Sequence, residues 1–217
     1  MRAIEGILLE PVGCLADFPP GPFHEIAARL FGRKGKASES GSREYWHLLN
    51  LMAAAEPLNP AQQDIVNMFE LSAVASVTLY QDVRPALAEL KAMNVHLSIA
   101  SSLSCAAIEG FLELNSLSEF FSRISHRDNA AGVKAPPLLR ALREASLKPE
   151  NAIFLADTAE GITVAKTAGV NPILMMNDPD EARRLAMHNP AGGVVSLHEL
   201  PDFVRLVRAQ AARSSDS

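Results

Sequence analysis

Three short stretches place reactive side chains directly beyond apolar runs, and a fourth carries a lysine ahead of a proline pair. Glu10 follows Ala3–Leu9, Ser101 and Ser102 follow Val95–Ala100, and Asp157 follows Ala152–Ala156. Lys134 stands just ahead of Pro136 and Pro137. A carboxylate can take up a proton or attack an electrophile. Serine hydroxyls and a lysine ammonium are hydrogen-bond donors of the kind that hold anions. Each residue also has a plainer reading: Glu10 as a turn residue, Ser101 and Ser102 as helix caps, Lys134 as a solvated charge, and Asp157 as an acid favoured at a helix N-terminus. Cys14 lies near Glu10, but no His or basic neighbour in sequence would lower its pKa, so it reads as a packing residue. His24, His47, His96, His126, His188 and His198 show no ligand spacing, and Cys14 and Cys105 make neither a zinc motif nor a disulfide framework.

These residues need elements to hold them. Ala3–Leu9 predicts a buried strand stopped by Glu10-Pro11-Val12-Gly13. Pro19–Pro22 predicts a loop, and from Phe23 to Val77 the apolar spacing is helical, with Gly32–Ser42 as a flexible loop between helices. Tyr45 and Trp46 read as core of this helical unit rather than as a stacking platform. His24 and Arg33-Lys34-Gly35-Lys36 read as solvated charge, with substrate contact as the sharper alternative.

Beyond Tyr80 the pattern alternates. A helix over Val83–Met93 precedes a strand over Val95–Ala100, and a helix carrying Ile108, Phe111 and Leu112 precedes a weaker strand at Phe121–Ser125. Pro136 opens another helix, Ala152–Ala156 is a strand, and the helix after it stops at Gly169. Pro172–Met176 and Gly193–Ser196 are the last strand candidates. Alternation of this kind predicts a doubly wound, Rossmann-like parallel α/β sheet with a helical insertion after its first strand. Ligands of such sheets bind beyond the carboxyl ends of the strands, where all four stretches fall.

Composition narrows the function. Apolar residues are 48 % and charged residues 21 %, which is enough for a core and excludes general disorder. A net charge of −5 gives no electrostatic reason to expect nucleic acid or an anionic membrane as partner. No apolar run reaches the roughly 18–20 residues of a membrane span, and Met1–Glu5 has no signal-peptide pattern, so the expected location is cytoplasmic. The oligomeric state is not readable.

The four stretches resemble, in order, the four motifs of the haloacid dehalogenase superfamily of phosphohydrolases. Glu10-Pro11-Val12-Gly13-Cys14-Leu15 stands in the place of that family's DxDGT[LV], and Ser101 in the place of its Ser or Thr. Val133-Lys134-Ala135-Pro136-Pro137 resembles its lysine motif, and Asp157–Gly169 its acidic strand end and following helix. The resemblance is greatest to the branch of β-phosphoglucomutase and phosphoglycolate phosphatase. It implies an α/β core over 1–17 and 80–210, a helical cap domain over 18–79 and a flexible tail at 211–217. It also implies that position 10 is the nucleophile and position 12 the acid/base. Ser101, Ser102, Lys134, Gly13 and Cys14 would hold phosphate, and Glu10, the Val12 carbonyl and Asp157 would hold magnesium. The substrate would be a small phosphorylated molecule.

The first motif departs from the family. Glu10 replaces the attacking Asp and Val12 replaces the proton donor. An isopropyl group moves no proton, and acid/base catalysis contributes about 10²–10⁴-fold. One extra methylene displaces the carboxylate by about 1 Å, and misplacement of that order costs about 10²-fold. The expectation is a phosphate and magnesium pocket with impaired phosphatase chemistry. The alternatives are a working magnesium-dependent phosphatase and a non-catalytic module that binds a phosphometabolite or a protein.

Overall fold

The computed structural model describes residues 3–177 and 179–215. The first strand β1 (Gly6–Leu9) runs into a short turn, α1 (Pro11–Cys14), whose Val12 and Gly13 are not helical. A two-residue strand β2 (Ala16–Asp17) leads to three helices: α2 (Pro20–Phe31), α3 (Gly41–Ala54) and α4 (Pro60–Ala75). The chain returns through β3 (Thr78–Leu79), which pairs antiparallel with β2. Then follow α5 (Val83–Ala92), β4 (His96–Ala100), α6 (Cys105–Leu114), β5 (Arg123–Ser125), α7 (Arg127–Ala130) and α8 (Ala135–Glu144). The last elements are β6 (Ala152–Ala156), α9 (Ala159–Thr167), β7 (Asn171–Met175), α10 (Pro179–Ala186), β8 (Gly192–Val194) and α11 (Glu199–Ser215).

The six longer strands form one parallel sheet in the order β5-β4-β1-β6-β7-β8. Both faces are covered, so the central strands are apolar on both sides. Ile7, Leu9, Ile99, Ile153 and Leu155 enter one buried cluster; Leu8, Ala100, Phe154 and Ala156 enter the other, against Leu138 and Leu142 of α8. β1 lies between β4 and β6, with Leu9 opposite Ile99 and Leu155. The residues that follow these three strands therefore converge: Glu10, Ser101 and Asp157.

The inserted helices have no core of their own. Phe23, Tyr45 and Trp46 belong to the same cluster as Ile7 and Phe111 of the α/β unit. Phe111, Phe18, Phe23 and Tyr45 form a chain of ring contacts, with centroid separations of 5.6, 6.2 and 5.2 Å.

Several boundaries differ from the sequence reading. Pro20 and Pro22 lie in the first turn of α2, not in a loop, because proline costs little where the amide has no helical partner. Gly41 and Ser42 open α3 rather than closing a flexible loop. The loop before them is anchored by the buried Glu44, which accepts from the Ser38 amide and pairs with Arg33 and His24. Thr78 and Leu79 are strand, and α10 and α11 complete the C-terminal third. Within the expected tail α11 continues through Ser215, and residues 216–217 lie outside the described residues.

Candidate functional site at the strand ends

Glu10 leaves β1 and is buried. Its Oε1 accepts from the Ser101 hydroxyl at 2.5 Å and its Oε2 from the Tyr45 hydroxyl at 3.2 Å. The Ser102 amide donates to the Tyr45 oxygen at 3.0 Å, and the Ser101 and Tyr45 hydroxyls lie 3.4 Å apart. Exposure is 3 % at Glu10, 1 % at Ser101, 2 % at Ser102 and nil at Tyr45, so the cluster is sealed from solvent, with Tyr45 of α3 in its middle. Burial pushes the Glu10 pKa up to about 8; hydrogen bonds from Ser101, Tyr45 and the amides of Val12 and Ser102 pull it down only in part. The Tyr45 hydroxyl is pushed well above its usual range, first by burial and then by the Glu10 charge.

Neither serine caps the next helix. Ser104 does that, accepting from the Ala107 amide. Ser101 is free to face Glu10, and the Ser102 hydroxyl accepts from the Lys134 amide at 2.6 Å. That bond holds Lys134 at φ 69°, in the left-handed region that disfavours a side chain. The Lys134 ammonium itself reaches Asn50 on α3. Among the described residues it has no hydrogen bond to Glu10 or Asp157, so the anion-binding role the resemblance gives it requires release from Asn50.

Asp157 leaves β6. Thr158 takes the capping role, accepting from the Gly161 amide, which leaves Asp157 to accept from the Ser42 hydroxyl at 2.8 Å. Burial raises the Asp157 pKa to about 7, against the smaller opposing effect of Ser42. Gly13 packs directly on this carboxylate. At φ 78°, a Cβ there would stand 1.9 Å from Asp157 Oδ2. Asn177 holds the turn by donating to the Gly13 carbonyl at 2.8 Å.

Val12 is fully buried in the apolar cluster with Leu9, Leu15 and Phe18. The Cys14 thiol donates to the Leu155 carbonyl at 3.4 Å, and burial pushes its pKa up, so it packs and does not react. A cavity of about 460 Å³ opens beside Asp157, lined by Gly13, Asp17, Ser42, Arg43, Tyr80 and Asn177 among others. Glu10 does not line it.

Sequence reasoning missed Ser42 and Asn50 and placed Tyr45 only in the core. Each is a hydroxyl or amide on one helix, with no local pattern to mark it. Glu70 of α4 and Arg127 of α7 were also missed. Arg127 donates to Glu70 and to the Ser102 carbonyl, and so ties the insertion to the strand-end loop. Among the described residues no three His, Cys, Asp or Glu side chains are grouped to hold a metal. Carboxylate and carbonyl oxygens such as those of Glu10, Val12 and Asp157 are the hard donors magnesium prefers, and burial raises the pKa of both carboxyls.

A family model described as haloacid dehalogenase-like hydrolase matches residues 43–175, more than half of the sequence. The chain belongs to the haloacid dehalogenase-like hydrolases. Solved structures of such hydrolases share its fold. A haloacid dehalogenase-like hydrolase from Streptococcus pneumoniae superposes at TM-score 0.69 with 17 % identity, covering 94 % of this chain and 99 % of that one. CbbY from Rhodobacter sphaeroides, solved in complex with phosphate, gives 0.67 with 22 % identity, covering 91 % and 96 %. A putative phosphatase from Clostridium difficile gives 0.66 with 15 % identity, covering 94 % and 100 %. A search of curated protein sequences finds no match. No helix of the described residues is long and apolar enough to cross a membrane.

Proposed function

We propose that this haloacid dehalogenase-like protein is a cytoplasmic binder of a small phosphorylated molecule with little phosphatase turnover. The observation that carries the reading is at Val12. Its side chain is sealed in an apolar cluster beside Glu10, where a proton donor to the leaving oxygen would have to stand. Glu10 adds to this: its extra methylene displaces the carboxyl by about 1 Å from where an aspartate's would lie, and misplacement of that order costs about 10²-fold. The anion-binding groups remain. The Ser101 hydroxyl, the Ser102 amide and, once free of Asn50, the Lys134 ammonium supply donors to phosphoryl oxygens. The Gly13 and Cys14 segment of the turn completes the cradle. Magnesium held by Glu10, the Val12 carbonyl and Asp157 would supply countercharge to the bound phosphate. The helices over 18–79 act as the cap, and their contacts would select the rest of the molecule.

A panel of phosphomonoesters with magnesium tests this. The expected result is hydrolysis barely above background, together with stabilisation by phosphorylated ligands. Robust magnesium-dependent turnover abolished by Glu10→Ala would falsify the reading and make the protein a working phosphatase.

A further inference from the structure

One helix of the insertion reaches all three charged side chains of the candidate site. Ser42 donates to Asp157, Tyr45 donates to Glu10, and Asn50 accepts from Lys134, all from α3. The start of α3 is built for this approach. A Cβ on Gly41 would lie 1.8 Å from the Phe18 carbonyl oxygen, so only glycine lets the helix begin so close to the strand ends.

The Tyr45 oxygen takes the central place. It accepts the Ser102 amide and lies beside the Ser101 hydroxyl and the Glu10 carboxyl. An amide, a hydroxyl and a facing carboxyl are the partners a phosphoryl oxygen would take there. We propose that the Tyr45 hydroxyl is a built-in occupant of the anion site, so that α3 must withdraw before a phosphate group can bind. The inference rests on the retained anion site argued above and adds its regulation. Affinity for phosphate is then reduced by the small fraction of molecules in which α3 has moved, and weakening the Tyr45 contacts raises that fraction.

Trp46 reports the movement. It is the only tryptophan in the chain, it is 4 % exposed, and its Cζ2 lies 3.4 Å from where a Cβ on Gly161 of α9 would be. Withdrawal of α3 carries it from that contact toward water.

The experiment titrates the full chain with inorganic phosphate, following Trp46 emission and the ³¹P line width. Wild type is expected to bind weakly, with a red shift that saturates with binding. Tyr45→Phe keeps the ring and the packing, and its midpoint should fall at least fivefold. Adding Ser101→Ala to Tyr45→Phe should remove the gain. Binding with equal midpoints in wild type and Tyr45→Phe and with unmoved Trp46 emission would overturn the gate and leave the anion site standing. Absence of ³¹P broadening in both folded proteins would remove the anion site, and the gate with it.

Discussion

Arg127 Nη1 lies 2.7 Å from Glu70 Oε1, with both side chains almost out of solvent. The same nitrogen donates to the Ser102 carbonyl at 2.9 Å, and the Ser104 amide donates to Glu70 at 2.9 Å. The pair thus clamps α4 of the insertion to the loop that follows β4. Removing one partner strands a buried charge, at a cost of about 3–5 kcal/mol. Arg127→Met should lower stability by that order in chemical denaturation, and Arg127→Met with Glu70→Leu should recover part of it. A single variant as stable as wild type would mean that the clamp is not intact in solution.

Stability contributed by two buried carboxyls should fall as pH rises from about 4 to about 8. The folded-state pKa of Glu10 is raised from 4.5 to about 8 and that of Asp157 from 3.8 to about 7, so between these limits the folded chain holds protons the unfolded chain has released. The contribution is complete below about pH 4 and is lost as pH rises to about 8. Glu10→Gln imitates the protonated acid. It should change stability little near pH 5 and should stabilise at pH 8, by about 4 kcal/mol at about 1.4 kcal/mol per pKa unit. Paired denaturation curves at the two pH values decide it; a Glu10→Gln variant less stable than wild type at pH 8 would contradict the raised value.

Gly13→Ala places a methyl group against Asp157 Oδ2 at a φ of 78°. Residues held at such φ cost of order 1–3 kcal/mol without any clash. A loss of at least 1 kcal/mol is expected. Asp157→Ala in the same chain should relieve the collision but not the backbone strain, recovering part of the loss. Full additivity of the two substitutions would show that they do not touch.

If turnover is limited at positions 10 and 12 as proposed, two changes are needed together. Glu10→Asp alone leaves Val12 unable to protonate a leaving oxygen, and Val12→Asp alone leaves the position 10 carboxylate misplaced. The double variant should exceed the sum of the singles in magnesium-dependent turnover, because the residues act as one unit. The gain should vanish with Asp157→Ala. A charge at 12 enters an apolar cluster, so the melting temperature is measured first. A folded double variant without gain would mean that these two positions do not limit turnover.

The alternation of short apolar runs with amphipathic segments after Tyr80 was legible because parallel strands buried on both faces must be continuously apolar. That pattern, with Glu10, Ser101 and Asp157 at the strand ends, also pointed to the candidate site. The resemblance to the family motifs singled out Val12 at the position where the family carries its acid/base, since side-chain chemistry is written in the residue type. Tertiary structure decided the rest. Ser42 looked like loop, Asn50 carried no signal, and Tyr45 looked like ordinary core. Their roles arise from where α3 docks on the strand ends, and that docking depends on long-range packing among Phe18, Phe23 and Phe111 and on the missing side chain of Gly41. The partner of Lys134 and the raised pKa of Glu10 belong to the same class. A hydrogen-bond partner and a desolvation cost are set by neighbours distant in sequence, and no local period records them.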